Sequence, residues 1–88
     1  MQKITRYKLS QESVQYLYLA PSAMFLAITT FEEQPFLHVI MDEHESLQSW
    51  EFRVCVQGQQ ETDLTEYEFI GIYPYLNWNF YLFAKMLS

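Results

Sequence analysis

Three carboxylates and an imidazole occupy four consecutive positions, Asp42, Glu43, His44 and Glu45. Oxygen-rich clusters hold Ca²⁺ or Mg²⁺, and an imidazole among carboxylates suits Zn²⁺. Adjacent residues on an extended chain point in different directions, so few of the four could reach one ion. The spacing and glycine of a calcium-binding EF-hand loop are also missing. A solvated acidic loop is the simpler account, and no metal is expected. His38 sits between Leu37 and Val39. Alternation would place it with Phe36 and Ile40, as a hydrogen-bonded histidine at the rim of the core rather than a catalytic base. Cys55 could serve as a nucleophile only beside a base and an oxyanion-stabilising turn. The chain has 2 glycines and no glycine-rich turn, and Cys55 lies in an apolar stretch, so a buried thiol is expected. A single cysteine excludes an intramolecular disulfide. Carboxylate pairs for glycoside hydrolysis need a cleft between them, and neither a phosphate-cradling loop nor a dinucleotide fingerprint occurs. The residues therefore predict a protein that is not an enzyme and takes no cofactor.

The elements that must position these residues are written in a period of two. Seven Tyr, seven Phe and two Trp stand in 88 residues, mostly alternating with polar or small residues. That spacing predicts pleated strands buried on one face. Strands are expected over residues 4–9, 14–19, 24–31, 36–42, 50–57, 67–73 and 78–86. Met24, Leu26 and Ile28 should share one face, as should Leu37, Val39 and Met41. Trp50, Phe52, Val54 and Val56 should point inward, with Glu51 and Arg53 outward. Glu32-Glu33-Gln34-Pro35 reads as a four-residue hairpin loop. Gly58 permits a turn at positive φ, Gly71 marks a bulge or a close approach, and Pro74 interrupts a strand. The polar stretch 59–65 is expected to be the most mobile. A helix could form only over residues 10–19, where Val14, Tyr16 and Tyr18 favour strand, or over 77–87, which is apolar on both faces and is also read as strand. About seven strands spaced 8–12 residues apart predict an all-β, mainly antiparallel fold: a small sandwich or partly open barrel with at most one short helix. Residues 1–88 should form one compact domain.

Charge is segregated along the chain. The formal net charge is −6; ten of the eleven acidic residues lie between Glu32 and Glu68, where Arg53 is the sole basic residue. Lys3, Arg6 and Lys8 sit at the start. Most of this surface should repel nucleic acid. Solubility accounts for such a face, and steering toward a basic partner also does. No N-terminal run has the order of a signal peptide, and no stretch approaches 18 apolar residues without charge. A soluble cytoplasmic protein that neither spans nor binds a membrane is expected.

A series of motifs runs through nearly the whole chain: Arg6-Tyr7-Lys8-Leu9, Leu19-Ala20-Pro21-Ser22-Ala23, Gln34-Pro35-Phe36-Leu37, Phe52-Arg53-Val54, Tyr67-Glu68-Phe69-Ile70-Gly71 and Trp78-Asn79-Phe80-Tyr81-Leu82-Phe83. In this order they resemble a family of small uncharacterised proteins of phage and prophage genomes. The resemblance implies a phage-type origin and a compact β-rich domain, and it supplies no catalytic residues. The expected function is that of a non-catalytic accessory protein, an acidic module that binds a protein partner with a basic surface. A host defence protein is one such target, and the location would then be the host cytoplasm. Glu32, Glu33, Asp42, Glu43 and Glu45 are the candidate acidic contacts. Tyr73, Tyr75 and Trp78 are candidate aromatic anchors, since Tyr and Trp favour interfaces as well as small β cores. A self-assembling protein, for example a homodimer formed through Tyr- and Val-rich strand edges, is the alternative. A small-ligand-binding barrel is the third.

Overall fold

A computed structural model of the chain describes residues 1–59 and 63–87. Among these residues, seven strands form two antiparallel sheets, and no helix occurs. The strands are β1 (Gln2–Lys8), β2 (Val14–Leu19), β3 (Met24–Phe31), β4 (Gln34–Asp42), β5 (Gln48–Val56), β6 (Glu68–Tyr75) and β7 (Trp78–Met86). One sheet has the order β1-β4-β3 and the other β2-β5-β7-β6. The sheets pack face to face, with β3 set against β6 along one margin. The protein is thus an all-β antiparallel sandwich, as its alternation predicts. Both stretches that admitted a helix carry strands instead, β2 and β7.

Inward positions of the two sheets build a single core. Leu37 and Val39 of β4 meet Phe52 of β5 and Leu82 and Ala84 of β7, all fully buried. Phe25 reaches across from β3 with its edge toward Trp50 (5.3 Å between ring centroids, 82°) and Phe52 (5.8 Å, 90°). Edge-to-face pairs of this kind are worth about 0.5–1.5 kcal/mol each beyond the area they bury. Leu9 and Leu19, each just beyond or at the end of a strand, close the core at its ends.

Two strands break the period of two. The register of β3 against β4 shifts between Phe25 and Ala27, and that of β6 against β7 shifts between Phe69 and Gly71. Leu26 and Ile70 are therefore bulge residues, each without an opposite partner. The bulge in β3 overturns the expected common face of Met24, Leu26 and Ile28. Met24 and Leu26 are exposed, while Phe25 and Ile28, three positions apart, both pack on the core. At Gly71 both expectations hold: it adjoins the bulge, and a Cβ there would stand 3.3 Å from Ile28 Cδ1 in the facing sheet.

Both tight hairpins depart from expectation. Gln34 and Pro35 belong to the ladder, opposite Phe31 and Thr30, so the β3–β4 loop is two residues long rather than four. The Pro35 carbonyl, which needs no N–H beside it, accepts a bond from Leu9 N (2.9 Å). Pro74 does not interrupt β6; it pairs with Asn79 on an edge strand, where a missing donor faces no neighbour. The two loops have the left-handed backbone of type I′ turns, at Glu32 (φ 50°) and Glu33 (φ 63°) and at Leu76 (φ 50°) and Asn77 (φ 67°). Such turns favour Asn-Gly, and here three of the four residues are types that rarely adopt positive φ. Gly58 takes φ 89° as expected. Residues 60–62, within the stretch expected to be mobile, lie outside the described residues.

Relieving the turn strain should stabilise the fold. Glu33→Gly is expected to add about 1 kcal/mol and to raise Tm by about 4–8 °C. Thermal unfolding followed by circular dichroism checks this; an unchanged or lower Tm would show that the Glu33 backbone is not strained.

Candidate functional site

Antiparallel pairing brings distant turns to one end of the sandwich. The β3–β4 and β6–β7 hairpins meet there with the segment that joins β1 to β2. Tyr73, Tyr75, Phe80, Val54, Leu76 and Pro35 line a cleft of about 200 Å³, with Ser10 and Gln11 at its polar mouth. The aromatic residues order one another. Tyr73 and Phe80 stack (5.6 Å, 21°), and Tyr75 meets Phe80 at 5.9 Å and 61°. Gln11 Nε2 donates to the Tyr75 hydroxyl at 2.7 Å, tying the β1–β2 segment to β6.

The three aromatic candidates therefore have different roles. Tyr73 is a core residue, 3% exposed, and forms the floor of the cleft. Burial pushes its hydroxyl up to about 12, with the neighbouring Tyr75 adding to the effect. Tyr75 is half-buried and forms the wall. Trp78 lies on the inward side of β7 but beyond the cover of the other sheet. It is 59% exposed and shares a hollow with Phe80 and Gly58.

The acidic candidates separate into two groups. Glu33 lines a recess with Tyr75, Leu76 and Asn77, and Glu32 is its neighbour in the turn. Asp42, Glu43 and Glu45 lie at the other end of β4, roughly 27 Å away along an extended strand. There the carboxylates are turned apart. Asp42 accepts the backbone N–H of His44 at 2.9 Å, the main reason that its carboxyl lies below the usual range. Glu45 accepts the Ser22 hydroxyl at 2.5 Å, and Glu43 faces the His44 ring at 3.9 Å. Among the described residues no group of three or more His, Cys, Asp or Glu is arranged to hold a metal.

His38 is hydrogen-bonded, but not at the core's rim. It sits on the outward face of β4 with Nε2 2.7 Å from Thr29 Oγ1, in the row of Arg6 and Ala27. Cys55 is buried on the outer side of the other sheet, so the sandwich stands between this thiol and His38.

Sequence reasoning missed a cluster on the outer face of the four-stranded sheet. Tyr67 donates its hydroxyl to Glu51, and Tyr16 does so at 3.4 Å. Arg53 stands 3.9 Å from the same carboxylate. Arg53 and Lys85 both lie over the Tyr67 ring, at 5.5 and 4.7 Å from its centroid. The bond to Glu51 is the chief reason that the Tyr67 hydroxyl titrates above its ordinary range. Glu51 and Arg53, two apart on one strand, were a legible half of this cluster. Tyr67, expected to open a strand, lies just before β6, and nothing in its spacing pairs it with Glu51. The cluster holds the loop before β6 to the sheet.

Comparison with protein-family models, curated proteins and solved structures finds no match to this chain. Among the described residues no helix is long and apolar enough to cross a membrane.

Tyr73 gives the fold an alkaline limit. An unfolded tyrosine ionises near 10.0 while the folded chain holds the Tyr73 proton to about 12. Stability is therefore fully present below pH 10 and falls as pH rises between the two values, because the folded state binds more protons there. Tyr73→Phe should remove this part of the loss, on the order of 2–3 kcal/mol; the smaller share from Tyr67, of the same sign, persists. Urea unfolding across that pH range checks the assignment, which fails if the variant declines as steeply as the parent.

Proposed function

We propose that the chain is a non-catalytic protein-binding module that engages its partner at the hairpin end. One observation carries this reading: at one end of the sandwich an apolar cleft walled by Tyr75 and Leu76 adjoins a recess lined by Glu33 and the strained Leu76-Asn77 turn, and the exposed Trp78 shares Phe80 with that cleft. Four residues with positive φ at one end of a small domain is an unfavourable arrangement. Strain of this kind concentrates where side-chain placement serves binding. Glycine in either turn would be easier to fold, but it would remove Glu33 or Leu76 from the cleft and its rim. A basic segment with one apolar side chain fits this chemistry. The side chain enters the cleft while Lys or Arg meets the turn carboxylates. The net charge of −6 favours the encounter at low salt.

The resemblance to small phage and prophage proteins supplies the biological setting of this proposal. In that setting the module is a cytoplasmic accessory protein, and its partner is a host protein with a basic surface, including a nucleic-acid-binding defence enzyme. Asp42, Glu43 and Glu45, at the far end, add to the field rather than to the contact.

Capture from host lysate at low salt should recover a basic protein, and release should increase as salt rises. Glu32→Gln combined with Glu33→Gln and Trp78→Ala should abolish capture. Neutralising Asp42, Glu43 and Glu45 together should leave most of it. Loss in the second variant but not the first would move the contact to the other end, and no capture by the parent chain would defeat the reading.

A further inference from the structure

Each sheet ends in two edge strands, and three of these four edges are blunted. β1 carries Lys3, Arg6 and Lys8. β3 is bulged at Leu26 and β6 at Ile70; the two lie against each other, and β6 also contains Glu68 and Pro74. Charge, proline, bulges and covering strands are the usual devices that stop an edge from pairing with another chain. β2, Val-Gln-Tyr-Leu-Tyr-Leu, has none of them. Its register against β5 is unbroken, and it contains no charged residue, proline or glycine. It also lies at the margin away from the β3–β6 contact, and the four-stranded sheet is one strand wider than its partner. At that margin β2 is the last strand, its inner face packed through Leu17 and Leu19 and its edge without a neighbouring strand.

The direction of its free backbone groups follows from two bonds. Val54 N donates to Ser13 O at 2.8 Å, and Leu87 N donates to Ser49 O at 2.8 Å. Trp50, Phe52 and Val54 of β5 therefore exchange bonds with the β2 side, and Ser49, Glu51 and Arg53 with β7. On β2, Leu17 and Gln15 bond to β5, and the N–H and C=O groups of Val14, Tyr16 and Tyr18 point to the open edge. The same three side chains share the outer face, where Tyr16 is 56% and Tyr18 69% exposed.

We infer that β2 pairs with β2 of a second copy of this chain, antiparallel about a two-fold axis at Tyr16, joining the two four-stranded sheets into one. This register sets Tyr16 opposite Tyr16 of the other copy and Val14 opposite Tyr18. Aromatic pairs and aromatic–β-branched pairs are the favourable cross-strand combinations. Three pairs exchange about six backbone hydrogen bonds. The Tyr16 hydroxyl, which bonds to Glu51 at 3.4 Å, fixes the ring at the axis. No charge on the strand opposes self-pairing. Six residues a side bury less than a standard interface, so the dimer dissociates on dilution. The inference is independent of the hairpin-end reading, since the two surfaces share no residue and the dimer needs no host protein.

Sedimentation velocity of the full chain over about 1–300 µM tests it. The expected result is a concentration-dependent shift from one chain to two that persists as salt rises. Tyr16→Lys places two like charges face to face at the axis and should leave one chain at every concentration. Tyr18→Pro removes an outward N–H without touching the β5 ladder and should do the same; if it fails to fold, Tyr16→Lys carries the test. Ile72→Lys, on the same outer face but on β6, should dimerise like the parent. A parent that stays monomeric throughout overturns the inference, as does a dimer that Tyr16→Lys leaves intact.

Discussion

Phe25 joins the two sheets, and the rest of the architecture depends on its reaching the core. It meets Trp50 and Phe52 edge-on, while Ile28 on the same strand presses against Gly71 opposite. Strict alternation would turn one of these two side chains to solvent. The extra residue at Leu26 lets both face inward, and the matching bulge at Ile70 bends β6 to receive them. Bulges increase local twist and curvature. Here they draw the margins of the two sheets together on one side, while on the other the edge of β2 is left without a neighbouring strand. Closure and openness thus have one origin.

The outer faces are not equivalent. On the four-stranded sheet, Glu51 gathers Tyr16, Arg53 and Tyr67, so polar groups cover the back of Trp50 and Phe52 through neighbouring strands. On the three-stranded sheet, the row formed by Ile4, Ile40 and Met24 places apolar groups outward, and Arg6 lies 4.5 Å over the Phe36 ring. Long cationic side chains on aromatic surface cover apolar area while keeping charge in water. That arrangement gives the short basic segment at the start of the chain a structural use.

How much of this was legible in the sequence depends on whether a feature is local. Residues 14–19 and 78–86 match β2 and β7 because uninterrupted alternation has clear ends, and residues 24–31 match β3 because Pro21-Ser22 and Glu32-Glu33 bound an apolar run. The faces of β4 and β5 were legible for the same reason. The bulge at Leu26 was not: one apolar residue inserted into an apolar strand leaves composition unchanged while reversing every face beyond it. The type I′ turns were hidden because Glu32-Glu33 and Leu76-Asn77 lack the glycine that announces them. At the candidate site, Tyr73, Tyr75 and Trp78 were visible as an aromatic cluster, but Gln11, Pro35 and Val54 come from three other segments, and only pairing brings them together. The acidic residues, grouped within one stretch of the sequence, stand at opposite ends of β4.

The strand order also governs how the chain can fold. β1 pairs with β4 and β2 with β5, so the connections interleave, and neither sheet assembles from one continuous half of the polypeptide. β5 and β6 follow each other in sequence, yet β7 lies between them. The four-stranded layer is therefore incomplete until the β6–β7 hairpin docks as a unit, long after β2 has been synthesised. Non-local topologies of this type fold in milliseconds to seconds, and throughout that interval β5 lacks its β7 neighbour while the uncharged β2 edge stays open to other chains.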